Sequence, residues 1–222
     1  MQDPANFDSL GLDAILAGWL CALREFSVDA LVVLGPNPFG DITEREVVAV
    51  HPPIVSTAAR ALAESDDYGA NWRMSESPMV AWQHIAKSDQ QGTCRWRLLW
   101  LAHGFQTLVR VEFGLPAGRA FECFMLSSRE ITARAEAAAM VWSALNVWPQ
   151  VKRAIAQARC NLSPRELECL LLAFRGLTAS ESADSMGCAV RTVNYHLANA
   201  MNKLRVDNKM AAIQRACWLG AV

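Results

Sequence analysis

The sequence predicts an α+β protein: a mixed N-terminal part followed by an all-helical C-terminal part. Three observations carry this. Residues 1–150 alternate between segments with helical apolar spacing and short β-branched runs. Residues 161–222 hold only short helical patterns, punctuated by Gly176, Gly187 and Gly220. Charge divides at the same place: residues 161–222 carry seven basic side chains against five acidic, a net +2 that leaves −3 for residues 1–160. Over all 222 residues, 52% are hydrophobic, 19% are charged and the net charge is −1. That composition supports a packed core and excludes global disorder. It also excludes a uniformly cationic surface, though not a local basic face.

Taken in order, Leu12, Ile15, Leu16, Trp19, Leu20 and Leu23 follow the 3.6-residue period and predict a helix. Residues 31–34 and 47–50 predict strands, separated by the Pro/Gly-rich loop 35–41. Residues 57–63 and 79–87 predict helices. Residues 107–113 and 120–126 predict a hairpin about Gly114-Leu115-Pro116-Ala117-Gly118. A long helix is expected over 129–158, with Pro149 kinking or breaking it at Trp148. The domains expected are 1–150, a linker at 151–160, and 161–222.

The C-terminal part predicts four helices. Ser163-Pro164-Arg165-Glu166 is a helix start: the hydroxyl caps the first turn, Pro suits the first helical position, and Glu166 bonds back to the cap. Leu167, Leu170, Leu171 and Phe174 form the expected inner stripe. Thr178 and Glu181 repeat the capping pattern for a second helix, which turns Ala183 and Met186 inward. After the Gly187 turn, a helix over 190–204 buries Val193, Leu197, Ala200 and Leu204. The last helix turns Ile213, Ala216 and Cys217 inward and ends at Gly220.

Several function classes find no support. No apolar run approaches the ~20 residues of a membrane span. Met1–Leu10 holds Asp3 and Asp8 but no Lys or Arg, unlike a secretory signal, so a cytoplasmic protein is expected. The cysteines (21, 94, 123, 160, 169, 188, 217) are scattered and form no C-x-x-C pair, which suits reduced thiols. His51, His84, His103 and His196 lack metal-ligand spacing. No G-x-S-x-G, P-loop or dinucleotide fingerprint occurs, so neither catalysis, a metal nor a cofactor is expected. The run 31–34 leads into Gly-Pro-Asn-Pro without an acidic pair, which argues against a phospho-receiver domain.

Two helices joined by a glycine turn, the second rich in Arg, Asn and Thr, are what a helix-turn-helix needs to enter a major groove. Leu162-Ser-Pro-Arg-Glu-Leu-Glu168, Gly176-Leu-Thr-Ala-Ser-Glu181, Thr192-Val-Asn-Tyr-His-Leu-Ala-Asn-Ala-Met-Asn-Lys-Leu204 and the closing Leu219-Gly-Ala-Val222 resemble the LuxR-type helix-turn-helix of quorum-sensing regulators. The resemblance implies double-stranded DNA with an inverted-repeat operator, a homodimer, and RNA polymerase as a further partner. Thr178, Arg191, Thr192, Asn194, Tyr195, Asn199 and Lys203 are the contacts expected. Two positions depart from the family. Ala189 stands where a Ser caps the recognition helix and touches a phosphate, and Glu181-Ser182-Ala183 replaces Glu-Ile-Ala. Both leave open a heterodimerising antagonist that binds DNA weakly.

The same resemblance implies that the front half is an α-β-α sandwich around an antiparallel sheet, binding an acyl-homoserine lactone. Tyr68 and Ser77-Pro78 keep the nine-residue spacing of the family's Tyr and Asp-Pro, but Ser77 replaces the Asp and Glu64 replaces an upstream Trp. Trp96 matches a later pocket Trp, Leu108 replaces a Gly, and Met125 falls where Thr or Ser is common. The ligand residues expected are therefore Tyr68, Trp72, Ser77, Trp96 and Met125. Three outcomes stay open: a different small apolar ligand, a self-filled pocket, or another sensor fold. The aromatic residues, Trp82 and Trp100 included, also suit plain core packing.

Overall fold

Strand β5 (Ala120–Ser127) is buried along its whole length, as a strand covered on both faces must be. It pairs antiparallel with β1 (Val28–Pro36) and β4 (Thr107–Gly114). β2 (Arg45–His51) and β3 (Val80–His84) are the edges of a five-stranded antiparallel sheet in the order β2-β1-β5-β4-β3. The structure, a computed structural model, describes residues 11–37, 41, 43–65, 79–86, 94–115 and 118–222.

The two-residue period of the strands sorts the sheet into two faces. Ala30, Val32, Leu34, Leu108, Phe124 and Leu126 face α2 (Ser56–Ala63) and α3 (Arg95–Ala102), in one core with Leu62, Trp96 and Trp100. Phe113 and Phe121 point the other way, toward α4 (Arg134–Cys160). There the Trp148 ring stacks on Phe113 at 4.0 Å and meets Phe121 at 5.3 Å. α1 (Leu12–Ala22) covers this second face too, and Trp19 Nε1 donates to Ser143 Oγ of α4 at 2.9 Å. The first unit is thus an α-β-α sandwich. With the all-helical second unit, the α+β class holds.

Three predicted elements differ. Residues 79–87 form a strand rather than a helix: β3 runs in register from Val80↔Val111 to His84↔Thr107. Val80, Trp82 and His84 alternate onto one face. The spacing of Ala81 and Ile85 also fits a helix, and the open edge of β4 decides between them; Lys87 lies outside the described residues. Pro149 does not break α4, which is helical from Arg134 to Cys160. A proline forfeits one backbone hydrogen bond of the helix, and here that loss does not end it. Residues 151–160, expected as a linker, are the last turns of this helix. The chain divides into two compact units, Met1–Val151 and Lys152–Val222.

The second unit comprises α5 (Pro164–Phe174), α6 (Ala179–Met186), α7 (Val190–Lys203) and α8 (Lys209–Trp218). Both predicted capping boxes form. Ser163 Oγ accepts from Glu166 N and Thr178 Oγ1 from Glu181 N, each at 3.3 Å, and both glutamates bond back to their caps. The α5 stripe is the third difference: Cys169, Leu170 and Leu172 are buried, Leu167 and Leu171 only half so, and Phe174 is 56% exposed. α5 serves two clusters on adjacent faces, Cys169 and Leu172 with Val193, and Leu170 with Ala200 and Ala216, so a single stripe does not describe it.

Gly35 fits where nothing larger does. A Cβ there would lie 2.6 Å from Val48 Cγ2 and 2.7 Å from Phe121 Cε1. Gly35→Ala is expected to destabilise the first unit by about 1–3 kcal/mol, the usual cost of overpacking, read as a lower midpoint in urea.

Candidate nucleic-acid interface and sensor core

The tight turn between α6 and α7 rests on Gly187, which closes α6 in the left-handed region at φ 62°. Ala189 is the N-cap of α7 and supplies no side-chain acceptor, so the loss expected there is real and worth on the order of 1 kcal/mol. α7 turns Val193 and Ala200 into the core, with Leu204 just past its end and Leu197 half-buried, as its spacing predicts. Its outer face carries Arg191 and Asn194, both exposed, and Tyr195, 64% exposed, with Thr192 and Asn199 half-buried beside them. Tyr195 rests edge-on against His196 at 5.7 Å. Thr178 is exposed at the start of α6, its hydroxyl donating to Glu181 Oε2 at 2.7 Å. Ser182 is buried, as its core-facing position requires.

Lys203 differs from its neighbours. Its Nζ donates to Glu166 Oε2 at 2.8 Å, and the Glu166 side chain is only 5% exposed. The same carboxylate oxygen accepts from Ser163 N at 2.7 Å. Burial pushes the Glu166 carboxyl up, but the bonds from Lys203 and Ser163 outweigh it and hold the group below the usual carboxylate range. The end of α7 is closed from α8: Arg215 Nη1 donates to Leu204 O at 2.7 Å and Arg205 O at 3.0 Å. Neither tie was read from the sequence. Glu166 is accounted for by its cap, and its partner lies 37 residues away. Arg215 counted only as positive charge.

In the first unit Trp96 and Trp100 are buried beside Phe105, Leu108, Phe124 and Leu126. Arg97 lies over the Trp96 ring at 4.6 Å and donates to Ile85 O at 3.1 Å. Met125 does not join them. It is fully buried, but it pairs with Leu31 and Val109 and so projects from the opposite face. One sheet separates it from Trp96, which corrects the expectation that the two share a pocket. Leu108 does lie on the Trp96 side. Glu64, at the position of the family's upstream Trp, is a surface group 3.8 Å from Arg95. Tyr68, Trp72 and Ser77 lie outside the described residues. The Trp96 face also buries charge: Arg110 Nε donates to Glu122 Oε1 at 2.7 Å, Arg45 Nη1 to Glu122 Oε2 at 2.9 Å, and Arg110 also pairs with Glu112.

The fold of the second unit and the polar outer face of α7 define a helix-turn-helix domain. Residues 160–216 match the family described as bacterial regulatory proteins, luxR family. The transcriptional activator protein AnoR of Acinetobacter nosocomialis is 45% identical over 65 residues, which are 29% of this chain and 27% of that protein. LuxR of Aliivibrio fischeri is 39% identical over 62 residues, 28% and 25% of the two chains. These matches span about a quarter of the relatives' length. The activator SolR of Ralstonia nicotianae is 23% identical over 212 residues, 95% of this chain and 77% of that one. A solved structure, SdiA in complex with octanoyl-rac-glycerol, superposes with a TM-score of 0.51 at 19% identity, covering 100% of this chain and 97% of that one, and so shares the fold. Over residues 160–216 the second unit is thus similar to the luxR family of bacterial regulatory proteins.

The Glu166 carboxylate makes the domain's stability pH-dependent. A lowered folded-state pKa contributes stability that is complete above the unfolded carboxylate value, about 4.3, and is lost as pH falls through the folded value. Glu166→Gln should cost about 1–3 kcal/mol at neutral pH and flatten the loss of stability below about pH 4. Thermal melts of both proteins across pH check this; a parallel acid limb in the variant would contradict it.

Proposed function

We propose that the chain is a LuxR-type transcriptional regulator of the quorum-sensing kind, a non-enzymatic cytoplasmic protein that binds double-stranded DNA as a homodimer. The observation that carries this is the outer face of α7, where Arg191, Asn194 and Tyr195 are exposed opposite an inner face of Val193 and Ala200. Each α7 enters the major groove of one half of an inverted repeat. Arg and Asn read base edges, and Thr178, Thr192 and Asn199 help to fix the helix against phosphates. Among the described residues no helix is long and apolar enough to cross a membrane. RNA polymerase is a further partner in this reading.

The first unit acts as a sensor of an acyl-homoserine lactone or another small apolar ligand. The lipid bound by SdiA supports an apolar ligand for this fold. A second reading, a heterodimerising antagonist, is favoured by one observation: the recognition helix starts on Ala189 without a side-chain cap.

Fluorescence anisotropy of the full chain on a DNA duplex, repeated across salt concentrations, tests the DNA reading. Arg191→Ala should weaken binding about tenfold or more and, if Arg191 meets a phosphate, lower the salt slope by about one. Lys203 reaches a phosphate only by leaving Glu166, so Lys203→Ala is expected to lower the melting temperature more than the slope. Unchanged affinity in Arg191→Ala overturns the assignment of α7. Saturable binding that ignores sequence, together with capture of a related regulator, favours the antagonist. For the sensor, a lactone at 100 times its Kd should stabilise the fold by about 2.7 kcal/mol, seen as a raised melting temperature.

A further inference from the structure

α5 divides the apolar interior of the second unit in two, and the cysteines divide with it. Cys160 and Cys217 lie in the cluster of Leu170, Ala200 and Ala216, and both are buried. Cys169 and Cys188 lie in the other cluster, with Met186 and Val193. Cys169, on α5, is fully buried, and its Sγ is 3.5 Å from Met186 Sδ at the end of α6. Cys188 follows Gly187 in the turn before α7. It is half-buried, the most open cysteine of this unit. Its backbone N–H donates to Ala183 O at 3.0 Å, which holds the turn against α6.

Three sulfur-bearing side chains therefore share one cluster where α5, the end of α6 and the start of α7 pack together. Burial pushes the Cys169 thiol up, and negative charge on Cys188 pushes it further, ahead of Glu168, its own neighbour in the chain. The two thiols are thus close enough for one to feel the other's charge. An open thiol beside a protected one is the arrangement in which an oxidised cysteine meets a resolving cysteine. Cys160 and Cys217 also share a cluster, but burial closes both to an oxidant. The place matters as well. The start of α7 has no side-chain cap on Ala189, so a covalent tie here acts on the less restrained end of that helix.

We propose that Cys188 and Cys169 are an oxidisable pair, which a peroxide converts to a disulfide that ties α5 to the start of α7 and weakens DNA binding. The Cys188 sulfur attacks one peroxide oxygen. The O–O bond breaks, the other oxygen leaves as water, and Cys188 becomes a sulfenic acid. The Cys169 sulfur then attacks the Cys188 sulfur, its proton goes to the departing hydroxide, and a second water leaves. Both thiols are oxidised and the peroxide is reduced to two waters. Closing the bond fixes Cys188 on α5 and takes the Cys169 sulfur away from Met186, which re-sets the first turn of α7 and Arg191 with it. The effect on DNA rests on the DNA-binding reading; the bond itself does not. To test it, the full chain is treated with hydrogen peroxide, alkylated and digested with trypsin without reduction. Residues 166–175 and 176–191 form tryptic peptides with one cysteine each. The two are expected cross-linked, lighter by two hydrogens than their sum, and parted by dithiothreitol. In anisotropy the oxidised chain should bind a DNA duplex at least about fivefold more weakly than the reduced chain, the low end of ordinary coupling between sites, and dithiothreitol should restore it. Cys188→Ser should keep the reduced wild-type affinity and lose the response. Absence of the cross-link, a loss of affinity that dithiothreitol does not reverse, or a Cys188→Ser chain that responds like the wild type overturns the proposal. So does a cross-linked chain that binds DNA as tightly as the reduced one. A cross-link in a chain that binds DNA in neither state supports the pair and overturns the DNA reading instead.

Discussion

The buried carboxylate of Glu166 is the constraint on which the C-terminal unit depends. One oxygen accepts from the backbone that starts α5 and from the ammonium at the end of α7. It therefore does two jobs, closing a capping box and fixing α7 to its neighbour. A charge this buried is tolerated only because both partners are in place. With Arg215 holding the carbonyls at the other side of the α7 terminus, the helix is tied at its C-terminal end by two side chains from two helices. Its N-terminal end is held differently, by backbone bonds after Gly187 and by Val193 in the core, with no side-chain cap. The N-terminal end of α7 is thus the less restrained one.

The first unit shows an analogous division across its sheet. β5 separates two cores of different chemistry. The α2/α3 side combines large aromatics with a buried Arg–Glu network around Arg110. The α4 side is held by aromatic stacking on Trp148 and opens at its β3 edge into an apolar cleft. A one-residue step along β5 moves a side chain from one environment to the other, which is why Phe124 and Met125 have different neighbours.

Much of this was legible in the sequence. The capping boxes at Ser163 and Thr178, the Gly187 turn, the buried positions of α7 and the β4–β5 hairpin all follow from local spacing, and local spacing is what a sequence displays. The errors share a cause. Residues 79–87 read as a helix because the deciding fact, the free edge of β4, lies about thirty residues away in the chain. The family resemblance sets Met125 beside Trp96, but a family position carries no strand parity. The spacing of Phe174 fits a single inner stripe, but α5 serves two clusters and leaves it exposed. The Glu166–Lys203 tie joins residues whose individual roles were already accounted for, so no pattern called for it.

The proposed function stands or falls on whether α7 reads DNA sequence. The most direct measurement is selection of bound duplexes from a random-sequence library by the purified full chain, followed by sequencing. Enrichment of an inverted repeat is expected, its half-sites about one helical turn apart, about 10–10.5 base pairs centre to centre, or a multiple of it. Recovery of an unenriched library from protein that is folded and binds DNA would contradict it, leaving the outer face of α7 as a merely cationic surface.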